Sequence, residues 1–191
     1  GEFQRIRAHV GLRQVGLHDD LRAARVGHVE HEVGHDEEVA GLGESKIVYP
    51  CAIQRKYDGN RMLTDGEEAW SRGNKEVLAE VIAHILPFDT QGNTVDGELL
   101  LPGNLSVNKV TSAIKKFHKG ISDTLIYVIY DIVDENLSFL ERIRVVDGIV
   151  KAANNPNIIM AETLIAKSKD EVLTHHARFV EEGYEGSIIR N

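Results

Sequence analysis

The sequence predicts an α+β fold, and three observations lead there. Strand-like and helix-like segments are mixed along residues 46–191 without the regular βαβ repetition of a parallel sheet. Several segments carry apolar residues at helical spacing, while others are short β-branched runs bounded by turn residues. Two Ser-x-x-Glu sequences, Ser138 with Glu141 and Ser168 with Glu171, mark helix starts. At 191 residues and 42% apolar content, there is room for one sizeable domain with a buried core.

Taken in order, residues 47–55 read as a strand that delivers Lys56 at its end. Residues 61–64 and 68–72 are two further strands about the Asp65-Gly66 turn. Asn74 is expected to cap a helix running to Leu86, because Val77, Leu78, Val81, Ile82 and Ile85 recur at helical spacing and Pro87 stops it. Residues 94–101 form a strand, 106–118 a helix and 125–133 a strand. The capped helices run from Ser138 to Ala153 and from Ser168 to Glu182, where Gly183 supplies a left-handed stop. Between them residues 157–166 read as one strand, and residues 186–190 close the chain as another.

Composition narrows the function classes. No apolar run reaches membrane-spanning length, and the start lacks the basic and apolar regions of a signal peptide. The single cysteine, Cys51, excludes an internal disulfide and fits a reducing, cytoplasmic compartment. A formal net charge of −8 runs against phosphate binding by the chain as a whole. Net charge conceals distribution, however: Lys109, Lys115, Lys116, His118 and Lys119 fall in one segment, which reads either as a backbone-contacting face or as a solvated helix surface.

Residues 1–45 differ from the rest. They hold no lysine, five arginines and five of the nine histidines, as expected of an atypical leader, disordered, fused or translated from another frame. Within them His31-Glu32-Val33-Gly34-His35 matches H-E-x-x-H, which on a helix holds zinc with two imidazoles. Gly34 weakens such a helix, so adventitious metal binding by His28, His31 and His35 is the expectation, not a zinc peptidase.

The densest chemistry lies in Gln54-Arg55-Lys56-Tyr57-Asp58-Gly59-Asn60-Arg61-Met62. A lysine amine with its ordinary pKa of about 10.4 is a poor nucleophile at neutral pH. Flanking cations such as Arg55 and Arg61, with partial burial, would lower that value and suit Lys56 to covalent catalysis. Downstream come Ser71-Arg72-Gly73, Val95-Asp96-Gly97-Glu98-Leu99, Tyr127-Val128-Ile129-Tyr130-Asp131 and the stretch from Glu182 to Arg190. This ordered set resembles the signature of the covalent nucleotidyltransferases, which comprise DNA ligases, RNA ligases and capping enzymes. Over residues 46–191 it looks most like ATP-dependent DNA ligases, particularly those of tailed phages.

The resemblance implies an ATP-grasp-like adenylation fold, with antiparallel sheets flanked by helices and enclosing a nucleotide cleft. It implies that Lys56 attacks ATP and carries AMP, that Asp58 orients the lysine or helps hold metal, and that Gly59 permits close backbone approach. Gln54 falls where the family reads the adenine edge, and Arg55, Arg61 and Arg72 join the nucleotide contacts. Glu98 matches an acid for ribose or metal, Tyr130 an aromatic that stacks on the purine, and Glu185 an acid for Mg²⁺. The implied partners are ATP and nicked double-stranded DNA, with the enzyme a monomer serving repair, replication or recombination. An oligonucleotide-binding domain and a lysine-bearing motif are expected beyond Asn191, so weak or absent adenylylation is expected of this chain alone. Alternatives are an RNA ligase, a capping guanylyltransferase, which would carry Thr where this chain has Tyr57, or a non-catalytic nucleotide-binding fragment.

Overall fold

The computed structural model describes the backbone of Glu30–Gly34 and residues 47–103 and 107–190. The strands are β1 (Glu30–Gly34), β2 (Cys51–Lys56), β3 (Asn60–Thr64), β4 (Ala69–Ser71), β5 (Val95–Leu100), β6 (Ile126–Ile132), β7 (Ile158–Met160), β8 (Thr163–Ala166) and β9 (Gly186–Arg190). The helices are α1 (Ala79–Ile82), α2 (Val107–Lys115), α3 (Phe139–Ala153) and α4 (Lys169–Glu181). They build two sheets, one in the order β1-β9-β2-β8 and one in the order β4-β3-β5-β6-β7. Pairing is antiparallel except between β6 and β7.

Each sheet has its own core on its outer face. Alternation along β2 and β9 sends Cys51, Ile53 and Ile189 outward, where Val172 and Phe179 of α4 cover them. The second sheet buries Met62, Val95, Leu99, Tyr127 and Ile129 against Val146 and Ile149 of α3 and Val110 and Ala113 of α2. Tyr127 fits inside because its hydroxyl donates to the Met62 and Val95 carbonyls at 2.9 and 3.2 Å. What the outer faces leave over, the polar alternates, faces inward.

Both Ser-x-x-Glu sequences begin helices. Ser138 and Glu141 form a reciprocal capping box, and the Ser168 hydroxyl accepts from the Glu171 amide at 3.3 Å. Gly183, at φ 91°, follows the end of α4 as the stop required.

Three expectations need correction. The helix from Asn74 to Leu86 is reduced to Ala79–Ile82. Asn74 sits in a left-handed turn at φ 57°, and the chain then runs back along β4: Glu76 bridges Trp70 and the Val77 amide donates to the Ala69 carbonyl at 2.9 Å. Val77, Val81, Ile82 and Ile85 are buried all the same, so helical spacing here reports a core face without a continuous helix. The strand expected over residues 157–166 is two strands in different sheets, β7 beside β6 and β8 beside β2. Finally, Glu30–Gly34 pairs with β9 from Glu30↔Arg190 to Gly34↔Gly186. His31 therefore lies on a strand, not on the helical turn that the zinc motif needs; His28 and His35 lie outside the described residues, as does the expected helix start at Ser106.

Candidate active site

A cleft of about 610 Å³ lies between the sheets. Its lining includes all ten residues singled out in the sequence: Gln54, Arg55, Lys56, Asp58, Gly59, Arg61, Arg72, Glu98, Tyr130 and Glu185. Period-2 alternation explains the convergence. Gln54 and Lys56 share the inner face of β2, where they pair in register with Ile188 and Gly186 of β9. Arg61 of β3 lies opposite Glu98 of β5, and β6 adds Tyr130.

Lys56 is the last residue of β2, and its Nζ donates to Glu185 Oε1 at 3.0 Å. The cations expected to crowd this amine are engaged elsewhere. Arg55 turns to the opposite face, where it pairs with Glu162, donates twice to Glu182 Oε2 at 3.0 and 2.7 Å, and lies over the rings of Phe179 and Tyr184. Arg61 forms a two-pronged pair with the buried Asp96, at 2.9 and 2.5 Å. Lys56 thus has a carboxylate as a direct partner.

Gly59 does permit a close approach, but by β5. A Cβ placed there would stand 2.4 Å from the Leu99 carbonyl oxygen and 2.8 Å from Glu98 Cγ. The turn bearing Asp58 is thereby pressed against the strand bearing Glu98. Burial, with Asp96 adding to it and Arg61 opposing it, pushes the Glu98 carboxyl up to about 8. Burial and the neighbouring Glu185 likewise raise Asp58, against the pull of Lys56.

Gln54 is held from three sides. Its Nε2 donates to the Tyr130 carbonyl at 3.2 Å and to Thr163 Oγ1 at 2.9 Å, while its Oε1 accepts from Arg190 Nε at 3.0 Å. Arg190 also reaches Asp131 Oδ2 at 3.4 Å and lies 5.4 Å from the Tyr130 ring centre. Arg190 was not among the expected site residues, and neither were Tyr57, Asn60, Ser71, Gly73 and Ile188, which also line the cleft. Alternation from Gly186 would have found Ile188 and Arg190; Asn60 and Ser71 stand at strand ends, and Tyr57 and Gly73 lie between strands, where no periodicity applies.

The family model described as ATP dependent DNA ligase domain matches residues 45–191. The chain belongs to this ATP-dependent DNA ligase family. No curated protein matches the chain. Solved structures that share the ligase fold include one from a structure-function analysis of Lig E DNA ligases, with a TM-score of 0.62 at 21% identity, covering 77% of this chain and 57% of that one. Chlorella virus DNA ligase-adenylate gives 0.62 at 22% identity, covering 76% and 54%. The ATP-dependent DNA ligase of bacteriophage T7, in complex with ATP, gives 0.56 at 18% identity, covering 73% and 56%. The chain thus spans little more than half the length of these ligases.

Proposed function

We propose that this ligase-family chain transfers AMP from ATP to Lys56 and then to the 5′-phosphate of nicked duplex DNA. The observation that carries this is the convergence of Lys56, Glu185, Glu98, Arg61 and Tyr130 on one cleft large enough for a nucleotide. In the first step the Lys56 nitrogen attacks the α-phosphorus, an N–P bond forms and pyrophosphate leaves. Glu185 accepts from the Lys56 amine at 3.0 Å, and the amine gives up its proton before it attacks. The 5′-phosphate then takes AMP from Lys56, and the 3′-hydroxyl attacks that activated phosphate, releasing AMP and sealing the strand.

The donor set suits Mg²⁺. Among the described residues no group of three or more His, Cys, Asp or Glu forms a metal cage, but Glu98, Glu185 and Asp58 border the same cleft. One or two carboxylates completed by substrate phosphates is the usual way magnesium is held. Glu98 and Glu185 would hold it, and it would neutralise charge on the phosphate oxygens.

Gln54 favours adenine. Both its N–H donors are committed within the chain, while Oε1 keeps an acceptor position beside the one used by Arg190. An exocyclic amine satisfies that position and a guanine carbonyl does not. Incubation with α-labelled ATP or GTP and Mg²⁺ tests the reading. The expected result is label from ATP, weak for this chain alone, mapped to Lys56 and absent from Lys56→Ala; label that survives the substitution, or that comes equally from GTP, refutes it.

A further inference from the structure

We infer that Arg55, Glu162, Arg178 and Glu182 form a closed ion-pair ring behind β2 that positions Glu185 against Lys56. This deepens the adenylylation reading and rests on it: the four are positioning residues that act through Glu185. Glu162 takes a guanidinium on each side, pairing with Arg55 Nη1 and accepting from Arg178 Nη2 at 2.7 Å. Glu182 does the same: its Oε2 accepts from Arg55 Nε and Nη2 at 3.0 and 2.7 Å, and its Oε1 lies 3.3 Å from Arg178 Nε, an ion-pair contact without hydrogen-bond geometry. Both guanidiniums lie over the Phe179 ring, 4.8 and 5.0 Å from its centre. Alternating charges thus close a circuit across β2, the link between β7 and β8, and the end of α4.

Stability alone does not account for the ring. The Glu162, Arg178 and Glu182 side chains are 41%, 41% and 37% exposed, and ion pairs this open to water contribute little to folding. None of the three lines the cleft, so they reach a nucleotide only through the residues they hold.

Each segment in the ring leads straight to the cleft. Arg55 precedes Lys56 on β2. Thr163, which follows Glu162, accepts from Gln54 Nε2 at 2.9 Å. Glu182 opens the turn that ends in Glu185, and the amides of Glu182, Gly183 and Tyr184 donate to the Arg178, Val180 and Phe179 carbonyls at 2.9, 2.9 and 3.0 Å, so this turn moves with the end of α4. Tyr184 is gripped by both neighbours of Lys56: the Arg55 guanidinium lies 4.9 Å from its ring centre, and Tyr57 meets it edge to face at 5.5 Å. Glu185 comes next, and Gly186 pairs in register with Lys56. The 3.0 Å contact of Lys56 with Glu185 therefore joins two short segments whose spacing the ring and Tyr184 fix from behind.

The experiment is brief acetylation with acetic anhydride at neutral pH, read at each lysine by mass spectrometry, with the exposed Lys115 and Lys116 as internal standards. An amine held by a carboxylate is acylated slowly, so Glu162→Gln/Arg178→Gln should raise the Lys56 rate by about two- to fivefold, the range that partly exposed ion pairs give. Glu185→Gln should raise it as much, and the triple variant no further, because the ring acts through Glu185. The melting temperature should fall by less than about 4 °C. Arg178→Gln alone should give part of the rise, and Arg178→Lys, which keeps a cation in the ring, none. An unchanged Lys56 rate in the double and single Gln variants, a further rise on top of Glu185→Gln, or an equal rise in Arg178→Lys would each overturn the assignment. With α-labelled ATP at saturation, the double variant should label Lys56 about 10- to 100-fold more slowly at an unchanged half-saturating ATP concentration. Absence of label from every protein, with the acetylation pattern as expected, would count against the adenylylation reading alone.

Discussion

Gly59 and Gly73 both line the cleft, yet adding one methyl group should separate them sharply. At Gly59 the new Cβ would meet the Leu99 carbonyl oxygen at 2.4 Å, Leu100 Cδ2 at 2.6 Å and Glu98 Cγ at 2.8 Å. The first of these is backbone in a buried strand paired on both sides, so it cannot yield as a side-chain tip would. Relief requires β3 and β5 to part, at the overpacking cost of about 1–3 kcal/mol. For a domain of this size that is a fall of about 2–4 °C in melting temperature per kcal/mol. At Gly73 a Cβ would meet nothing within 4 Å, so Gly73→Ala should stay within about 1 kcal/mol of the original. Thermal unfolding followed by circular dichroism gives both values, and Lys56 labelling should drop only in Gly59→Ala, where Asp58 and Glu98 are displaced. Equal melting temperatures for the two variants would refute the close-packing account of the motif glycine.

Two other predictions rest on charge. Because the Glu98 carboxyl is pushed from 4.5 to about 8, the folded chain keeps a proton that the unfolded chain has lost across that window. Its contribution to stability therefore falls as pH rises from 4.5 to about 8 and is level above it. Glu98→Gln should gain on the original chain between pH 5 and 9, as urea midpoints will show; a difference independent of pH contradicts this. Arg142 holds the buried Asp131 at 2.7 and 3.1 Å and donates to the Leu137 carbonyl at 2.8 Å. Arg142→Ala leaves Asp131 to Arg190 at 3.4 Å and should cost about 3–5 kcal/mol in urea unfolding, with a loss below about 1 kcal/mol showing that the pair is not structural.

Local rules carried the strands and the capped helices because their determinants are local. Ser138 and Glu141 are three residues apart, and the Asp65-Gly66 turn joins strands that pair directly. The failures arose where a distant partner decides the backbone. Residues 75–77 lie beside β4, and residues 158–161 stay with β6, the Ala161 amide donating to the Ile129 carbonyl at 2.7 Å, before the chain crosses to pair with β2. No Gly or Pro marks that crossover. Adjacent residues on a strand point apart, so the Arg55 guanidinium makes its ion pairs behind Lys56, although the residue still lines the cleft. Its partners Glu162 and Glu182, more than 100 residues away, could not be anticipated.

The pairing of charges also bears on how the cleft of an acidic chain responds to an incoming ion. In the cleft Arg61 has Asp96 and Lys56 has Glu185, so each cation already shares its donors with a carboxylate. The two pairs differ in burial: Asp96 is almost wholly inside, whereas the Glu185 side chain is 45% exposed. Leaving Asp96 unpaired in the interior costs several times what leaving Glu185 in water does. The pair at Arg61 is therefore the fixed one and the pair at Lys56 the labile one. A cation or an anion reaching the cleft would therefore open the Lys56–Glu185 pair before the Arg61–Asp96 pair, and the wall of the cleft would stay in place.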